Sequence, residues 1–309
     1  MSVSTLERVL DFNGYKFASE SDLCRFFEWS SSSGIVQVFG CGGRASGLLH
    51  ERSDYDLFVL IKNDSVRLPI LILPSKCDVD LVIRSVSWFE GIVNDHERFC
   101  DPFGDLGFDP NTKLAGAVSL KSDKFVIELE EITYDRRCII VRHRKFLEAL
   151  DLCRRRLSNC LSRSWTLMYW TRVYLNMFLR FEMFRLGYGT GSAKRFYTEA
   201  FDCLGARFGR NEFRKFCKEA MLVELPLLLS VIRQFPLSNN SKSYYQRVIK
   251  NETNVYGETA LSYFITYYIS LELGPHSETA VDVDGKKLSL KMEGFEEKLD
   301  LFSRTAGLE

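Results

Sequence analysis

Asp54 and Asp56, in the stretch RSDYDLFVLI, stand one residue apart at the head of an apolar run. Side chains of an extended strand alternate, so the two carboxylates would share one face and Tyr55, Leu57 and Val59 the other. Like charges on one face repel unless a cation lies between them. The pair therefore reads either as a strand that begins in solvent or as part of a divalent metal site. Two neighbouring segments bear on the choice. IVQVF, residues 35–39, is a short β-branched run followed closely by Gly42 and Gly43, and KCDVDLVIRS, residues 76–85, is a second apolar run whose start is acidic, at Asp78 and Asp80.

The elements that would position these residues follow from the hydrophobic pattern. Residues 35–39 and 56–61 read as strands joined by a glycine-containing connection with some helix, and 76–85 reads as a further strand. SWFEGIVNDHERF, 87–99, has helical spacing; 101–113, with closely spaced Gly and Pro, is a loop; and 124–135 is a strand running into a turn. Helices are also expected over 5–11 and 20–29, and an apolar run lies at 68–74. Beyond about 140 the pattern changes to long amphipathic segments at 146–161, 164–186, 193–208, 211–234, 241–250 and 256–273, the last stopped by Gly274 and Pro275. VDVDGKKLSLKM, 281–292, carries an Asp-Gly hairpin signal ahead of a short final helix. Three regions are expected: an α/β part over 1–140, a helical part over 141–278 and a hairpin with helix over 279–309.

Composition narrows the class. The chain has 309 residues, 46% of them apolar, enough to bury a substantial core. Its 41 basic and 41 acidic residues balance, which argues against a generally basic nucleic-acid binder and leaves room for a local basic patch. Nine cysteines without a C-x-x-C pair read as the thiols of a reducing compartment, with no zinc site. The N-terminus lacks the basic and apolar regions of a signal peptide, and no apolar run is long enough to span a bilayer. The expected setting is cytoplasmic, without a membrane partner.

Gly42-Gly43, a spacer, Asp54-x-Asp56 on a strand and Asp80 on a later strand occur in that order. The stretch GGRASGLLHERSDYDLFV resembles the signature of the nucleotidyltransferase superfamily typified by DNA polymerase beta. It is most similar to the minimal and antibiotic-modifying branches, whose usual wording is Gly-Ser, a small residue, Gly, and then Ser-Asp-x-Asp. Here Gly43 stands for the common Ser, Gly47 is the later glycine and Ser53 directly precedes the acids. The resemblance covers residues 35–85 in motif terms and is architectural beyond them. It implies an α/β nucleotidyltransferase domain with a small mixed sheet, followed by an α-helical domain.

The resemblance also implies roles. Asp54 and Asp56 would hold Mg²⁺ against a nucleoside triphosphate, and Asp80, with Asp78 in reserve, would complete a second metal site or take the acceptor's proton. Gly42 and Gly43 would let backbone amides approach the phosphates, joined by Arg44, and Ser53 either donates to a phosphate or caps the turn. Cys41 reads as a small core residue. From the helical part, Lys194 in GYGTGSAKRF is the lysine that would reach the triphosphate; the bland reading is a helix end followed by a Ser192 cap. The Arg- and Lys-rich stretch 136–163 is either a solvated helix face or a surface for RNA or another anionic acceptor. The implied activity is transfer of a nucleoside monophosphate to an acceptor with release of pyrophosphate. A small molecule is the expected acceptor, with a protein or tRNA, as in toxin and antitoxin enzymes, as the alternative. A noncatalytic nucleotide-binding relative would be marked by lost acids, and Asp54, Asp56 and Asp80 are intact.

Overall fold

The computed structural model describes residues 34–41, 55–62, 79–103, 118–119, 135–160, 165–187, 193–208, 211, 215, 225–233 and 235–275. The chain divides into two compact units, Met1–Lys145 and Phe146–Glu309. The expected helices near the N-terminus, the apolar run at 68–74 and the terminal hairpin lie outside the described residues, as do nearly all of the expected strand 124–135 and most of 104–117.

The first unit is built on a mixed sheet. Its strands are β1 (Ile35–Cys41), β2 (Tyr55–Ile61), β3 (Val79–Ser85) and the two-residue β4 (Val118–Ser119), in the order β3-β2-β1-β4. β1 runs antiparallel to β2 and to β4, whereas β2 and β3 are parallel. Phe39 is paired with Phe58, and Phe58 with Val82, so these positions form one apolar row across three strands. The Phe39 and Phe58 rings lie 6.1 Å apart, and both residues are buried.

Helices cover that row. β3 passes directly into α1 (Val86–Val93), capped by Ser85 Oγ, which accepts from Trp88 N at 3.3 Å. The single helix expected over 87–99 is two. Asp95 Oδ1 accepts from the backbone N–H of Glu97 and Arg98, which ends the first helix and starts α2 (His96–Phe99). Phe89 and Ile92 of α1, Phe99 of α2 and Cys138 of α3 (Arg136–Ser158) join Phe39 and Phe58 in one core.

α3 starts ten residues earlier than the apolar stripe at 146–161 suggests, because Asp135 Oδ1 accepts from Arg137 N at 2.5 Å and opens the helix there. The division between the units falls within this helix.

The second unit is helical: the remainder of α3, α4 (Trp165–Arg185), α5 (Ala193–Phe208), α6 (Leu225–Ile232), α7 (Asn239–Tyr256) and α8 (Glu258–Leu273). α4 and α8 are buried almost all round, the behaviour of helices enclosed by their neighbours. α8 is the hub, touching α4, α5, α6 and α7. Gly257 alone separates α7 from α8; its φ of +81° suits glycine, and its N–H donates to Thr253 O at 2.9 Å. That turn moves the start of the last helix from the expected 256 to 258. Gly274 stops α8 as expected and, with Pro275, presents carbonyls to α4: Trp165 Nε1 donates to Gly274 O at 2.7 Å and Thr166 Oγ1 to Pro275 O at 2.8 Å. Among the described residues, no helix is long and apolar enough to cross a membrane.

Candidate functional site

β1 is antiparallel to β2, and β2 is parallel to β3, so the end of β1 and the beginnings of β2 and β3 meet at one end of the sheet. β1 finishes at Cys41, immediately before Gly42, Gly43 and Arg44 in the chain. β2 and β3 carry Asp56 and Asp80, each at the second position. The register pairs Cys41 with Asp56, and Asp56 with Asp80.

Positions paired across a pleated sheet share a face, so Cys41, Asp56 and Asp80 form one row across three strands. It lies two residues along from the Phe39–Phe58–Val82 row, and by strand alternation on the same face. The face thus changes from aromatic and aliphatic to acidic within one repeat of the strand. Adjacent strands lie about 4.8 Å apart, which sets the scale of separation for the two acidic positions. Two carboxylates at paired positions repel unless a cation or a proton compensates them.

A scan against models of known protein families finds no match, and a search of curated proteins finds none either. The site therefore rests on its own residues.

Among the described residues, no group of three or more His, Cys, Asp or Glu side chains is placed to hold a metal ion. Asp56 and Asp80 enter the description by backbone and register alone. Asp54, Asp78, Gly42, Gly43, Arg44 and Ser53 lie outside the described residues. The chemistry of the donor set nevertheless suits a hard divalent cation, because both paired positions carry carboxylates and Mg²⁺ favours oxygen ligands.

Lys194 is held within the second unit. Its Nζ lies 2.7 Å from Glu252 Oε2 on α7, with the two side chains 10% and 13% exposed. The contact is an ion pair. The same Nζ stands 5.8 Å from the Tyr256 ring centre and 5.9 Å from that of Phe264. Reaching a triphosphate would require Lys194 to release Glu252.

The basic stretch of α3 is partly engaged within the fold. Arg144 and Lys145 both pair with Glu97 of α2, and the hydrogen bond from Arg144 holds the Glu97 carboxyl below its usual range. Arg155 pairs with Asp151 one turn back, and the Arg156 guanidinium lies 5.8 Å from the Trp170 ring centre. Arg136 and Arg137 are exposed at the start of the helix.

Two polar features were not legible in the sequence. Arg172 is buried in α4, where Nη1 donates to Ser270 Oγ at 2.9 Å; among the described residues Nε has no hydrogen-bond partner, and burial lowers the group to about 9. Cys100 and Cys138 bring their sulfurs within 3.1 Å across 38 positions of chain. No local spacing announces that pair, since it is made by the packing of α2 against the start of α3.

Proposed function

We propose that the chain is a metal-dependent nucleotidyltransferase that moves a nucleoside monophosphate from a nucleoside triphosphate to an acceptor, with pyrophosphate released. The observation that carries this reading is the pairing of Asp56 with Asp80 on adjacent parallel strands, at the end of the sheet where β1 leads into Gly42 and Gly43. A lone D-x-D at a strand start needs no ligand. A second strand that brings another carboxylate into register, beside a glycine pair, supports a site for a cation and a phosphate chain.

In this reading Asp54 and Asp56 hold Mg²⁺, and Asp80, with Asp78 as its reserve, shares that task or accepts the proton of the attacking hydroxyl. Bound there, the ion would neutralise charge on the triphosphate and on the departing pyrophosphate. The acceptor oxygen forms a bond to the α-phosphorus as the bond from that phosphorus to the pyrophosphate oxygen breaks. Gly42 and Gly43 allow backbone N–H groups close to the β and γ phosphates, because no Cβ stands in the way. Arg44 and Ser53 supply further donors to the phosphate oxygens. Lys194 joins this set only after giving up Glu252. The acceptor is a small molecule, in keeping with the balanced charge of the chain.

The test is to incubate the protein with Mg²⁺, each α-labelled nucleoside triphosphate and a fractionated cell extract, beside Asp56→Ala. Label is expected to move into a small species with the wild type alone. Label on protein or RNA would transfer the acceptor assignment to those classes. Triphosphate binding without transfer to any fraction would replace the enzyme reading with that of a noncatalytic nucleotide-binding relative.

A further inference from the structure

Cys100 closes α2 and Cys138 lies in the first turn of α3. Both are free and buried, in the core that also holds Phe89, Ile92 and Phe99. Their sulfurs stand 3.1 Å apart, inside the usual contact of two unbonded sulfur atoms and about 1 Å from the length of a disulfide. The Cys100 thiol also reaches the Cys138 carbonyl at 3.5 Å. Arg142, one turn further along α3, brings Nη2 to 4.0 Å from Cys138 Sγ.

The surroundings of the two sulfurs differ. Cys138 Sγ lies beside the Cys100 sulfur, where either atom can donate, and the Arg142 guanidinium, in the first turn of α3, whose N-terminal end favours negative charge while the Asp135 carboxylate opposes it. The contact with Cys100 lowers the Cys138 thiol, burial and the Asp135 carboxylate oppose it, and Arg142 lowers it further. The contact with Cys138, together with burial, raises Cys100. The Arg142 guanidinium beside Cys138 Sγ marks that thiol as the attacking group and leaves Cys100 as the partner that resolves.

We propose that Cys100 and Cys138 are a redox modification site, a dithiol that converts reversibly to an intramolecular disulfide by exchange with a low-molecular-weight disulfide such as oxidised glutathione. The Cys138 thiolate attacks one sulfur of the glutathione disulfide, forming a mixed disulfide and expelling a glutathione thiolate. That thiolate takes up the proton released from Cys100. Cys100 then attacks Cys138 Sγ and expels the second glutathione, which takes up the proton lost when Cys138 ionised. The protein gives up two electrons and two protons, and one glutathione disulfide becomes two glutathione thiols. Because both sulfurs are buried, exchange proceeds through opening of α2, a helix of four residues that Cys100 caps. The site is independent of the proposed transferase chemistry and of its acids.

The test equilibrates the full chain in a series of reduced and oxidised glutathione mixtures, quenches with acid, and alkylates the free thiols after denaturation before mass spectrometry. Cys100 and Cys138 are expected to lose alkylation together, at one common glutathione ratio. A non-reduced digest should contain their two peptides joined and lighter than the sum by two hydrogens. The pair remaining fully alkylated at the most oxidising ratio would overturn the proposal, and so would glutathione adducts accumulating separately on each residue. In Cys100→Ser, Cys138 should accumulate as a glutathione adduct. In Cys138→Ser, Cys100 should stay alkylated under the same conditions. The reverse pattern would overturn the assignment of attacking and resolving roles. The wild-type experiment decides the proposal even if a variant fails to fold.

Discussion

Replacing Asp56 by Asn removes one of the two negative charges that the register of β2 and β3 sets at neighbouring positions, while keeping the shape of the side chain. For two unit charges about 5 Å apart, with an effective dielectric constant between about 20 and 80, the repulsion is roughly 1–3 kcal/mol. Metal-free Asp56→Asn should therefore be more stable than the wild type. At about 2–4 °C per kcal/mol for a unit of this size, its melting temperature should rise on the order of 5 °C. Asp80→Asn should give a rise of the same sign. The double variant should gain less than the sum, because one repulsion can be relieved only once.

Under the proposed function, adding Mg²⁺ and a nucleoside triphosphate should stabilise the wild type and narrow or close this gap. Ligand at about 100 times its dissociation constant stabilises the wild type by roughly 2.7 kcal/mol, and this gain should vanish in either variant. Differential scanning fluorimetry, with and without metal and nucleotide, reads both effects in one experiment. A metal-free Asp56→Asn that melts below the wild type, or one that keeps the full response to Mg²⁺ and nucleotide, would refute the reasoning. The first result would mean that Asp56 is an acceptor the fold relies on. The second would mean that the acidic row is not where the cation binds.

Lys194→Met should cost about 3–5 kcal/mol in chemical denaturation, since it leaves Glu252 buried and unpaired, whereas Lys194→Met/Glu252→Leu should recover most of the loss. A single-variant cost below about 1 kcal/mol would show that the pair is solvated and Lys194 available elsewhere. Alkaline stability follows from buried phenols: burial raises the ionisation of Tyr197, Tyr245 and Tyr267 above the ordinary value of 10.0. Above that value the unfolded chain ionises and the folded one does not, so their contribution is complete below pH 10 and is lost as pH climbs. Arg172, lowered to about 9, acts in the opposite sense: the folded form loses its proton first, which adds stability above that pH. Among the described residues the buried phenols outnumber the one guanidinium, so unfolding should set in above pH 10, with tyrosinate absorbance and loss of helical circular dichroism appearing together. Tyrosinate absorbance that rises while the helical signal is intact would contradict the burial of these groups.

What the sequence could express depended on how local the cause was. β1 and β2 are legible in IVQVF and DLFVLI because strand pattern is a property of adjacent residues, and α4 and α5 are legible because helical spacing of apolar residues is likewise local. The division of 87–99 into two helices was not, although its cause is a single residue. Asp95 fits the surface of one amphipathic helix as well as it fits a cap, and only the bonds it accepts from Glu97 and Arg98 separate the two. The early start of α3 is hidden in the sequence for a different reason. The residues before Phe146 include Cys138 and Val141, which pack on the first unit's core, whereas Phe146 and Leu150 belong to the core of the second. One helix that serves two cores presents no single stripe.

The candidate site divides along the same line. That Asp54, Asp56 and Asp80 follow Gly42 and Gly43 in order is a fact of sequence, and it carries the resemblance. Whether Asp56 stands opposite Asp80 or one residue away is a matter of register, which the chain between β2 and β3 does not disclose. A slip of one residue would leave the motif intact and put Asp80 on the opposite face. The pairing of Phe58 with Val82, and of Leu60 with Arg84, shows what fixes it. Phe58 is buried under α1, with the Trp88 ring centre 5.9 Å from its own, and Arg84 lies 5.4 Å from the same Trp88 ring. A slip would take Val82 and Arg84 away from that helix together. The apolar row holds the register, and the acids inherit it. Two carboxylates at paired positions bring the fold no stability of their own. Weakening the Phe58–Trp88 contact should therefore impair the acidic row from a distance, without touching either carboxylate.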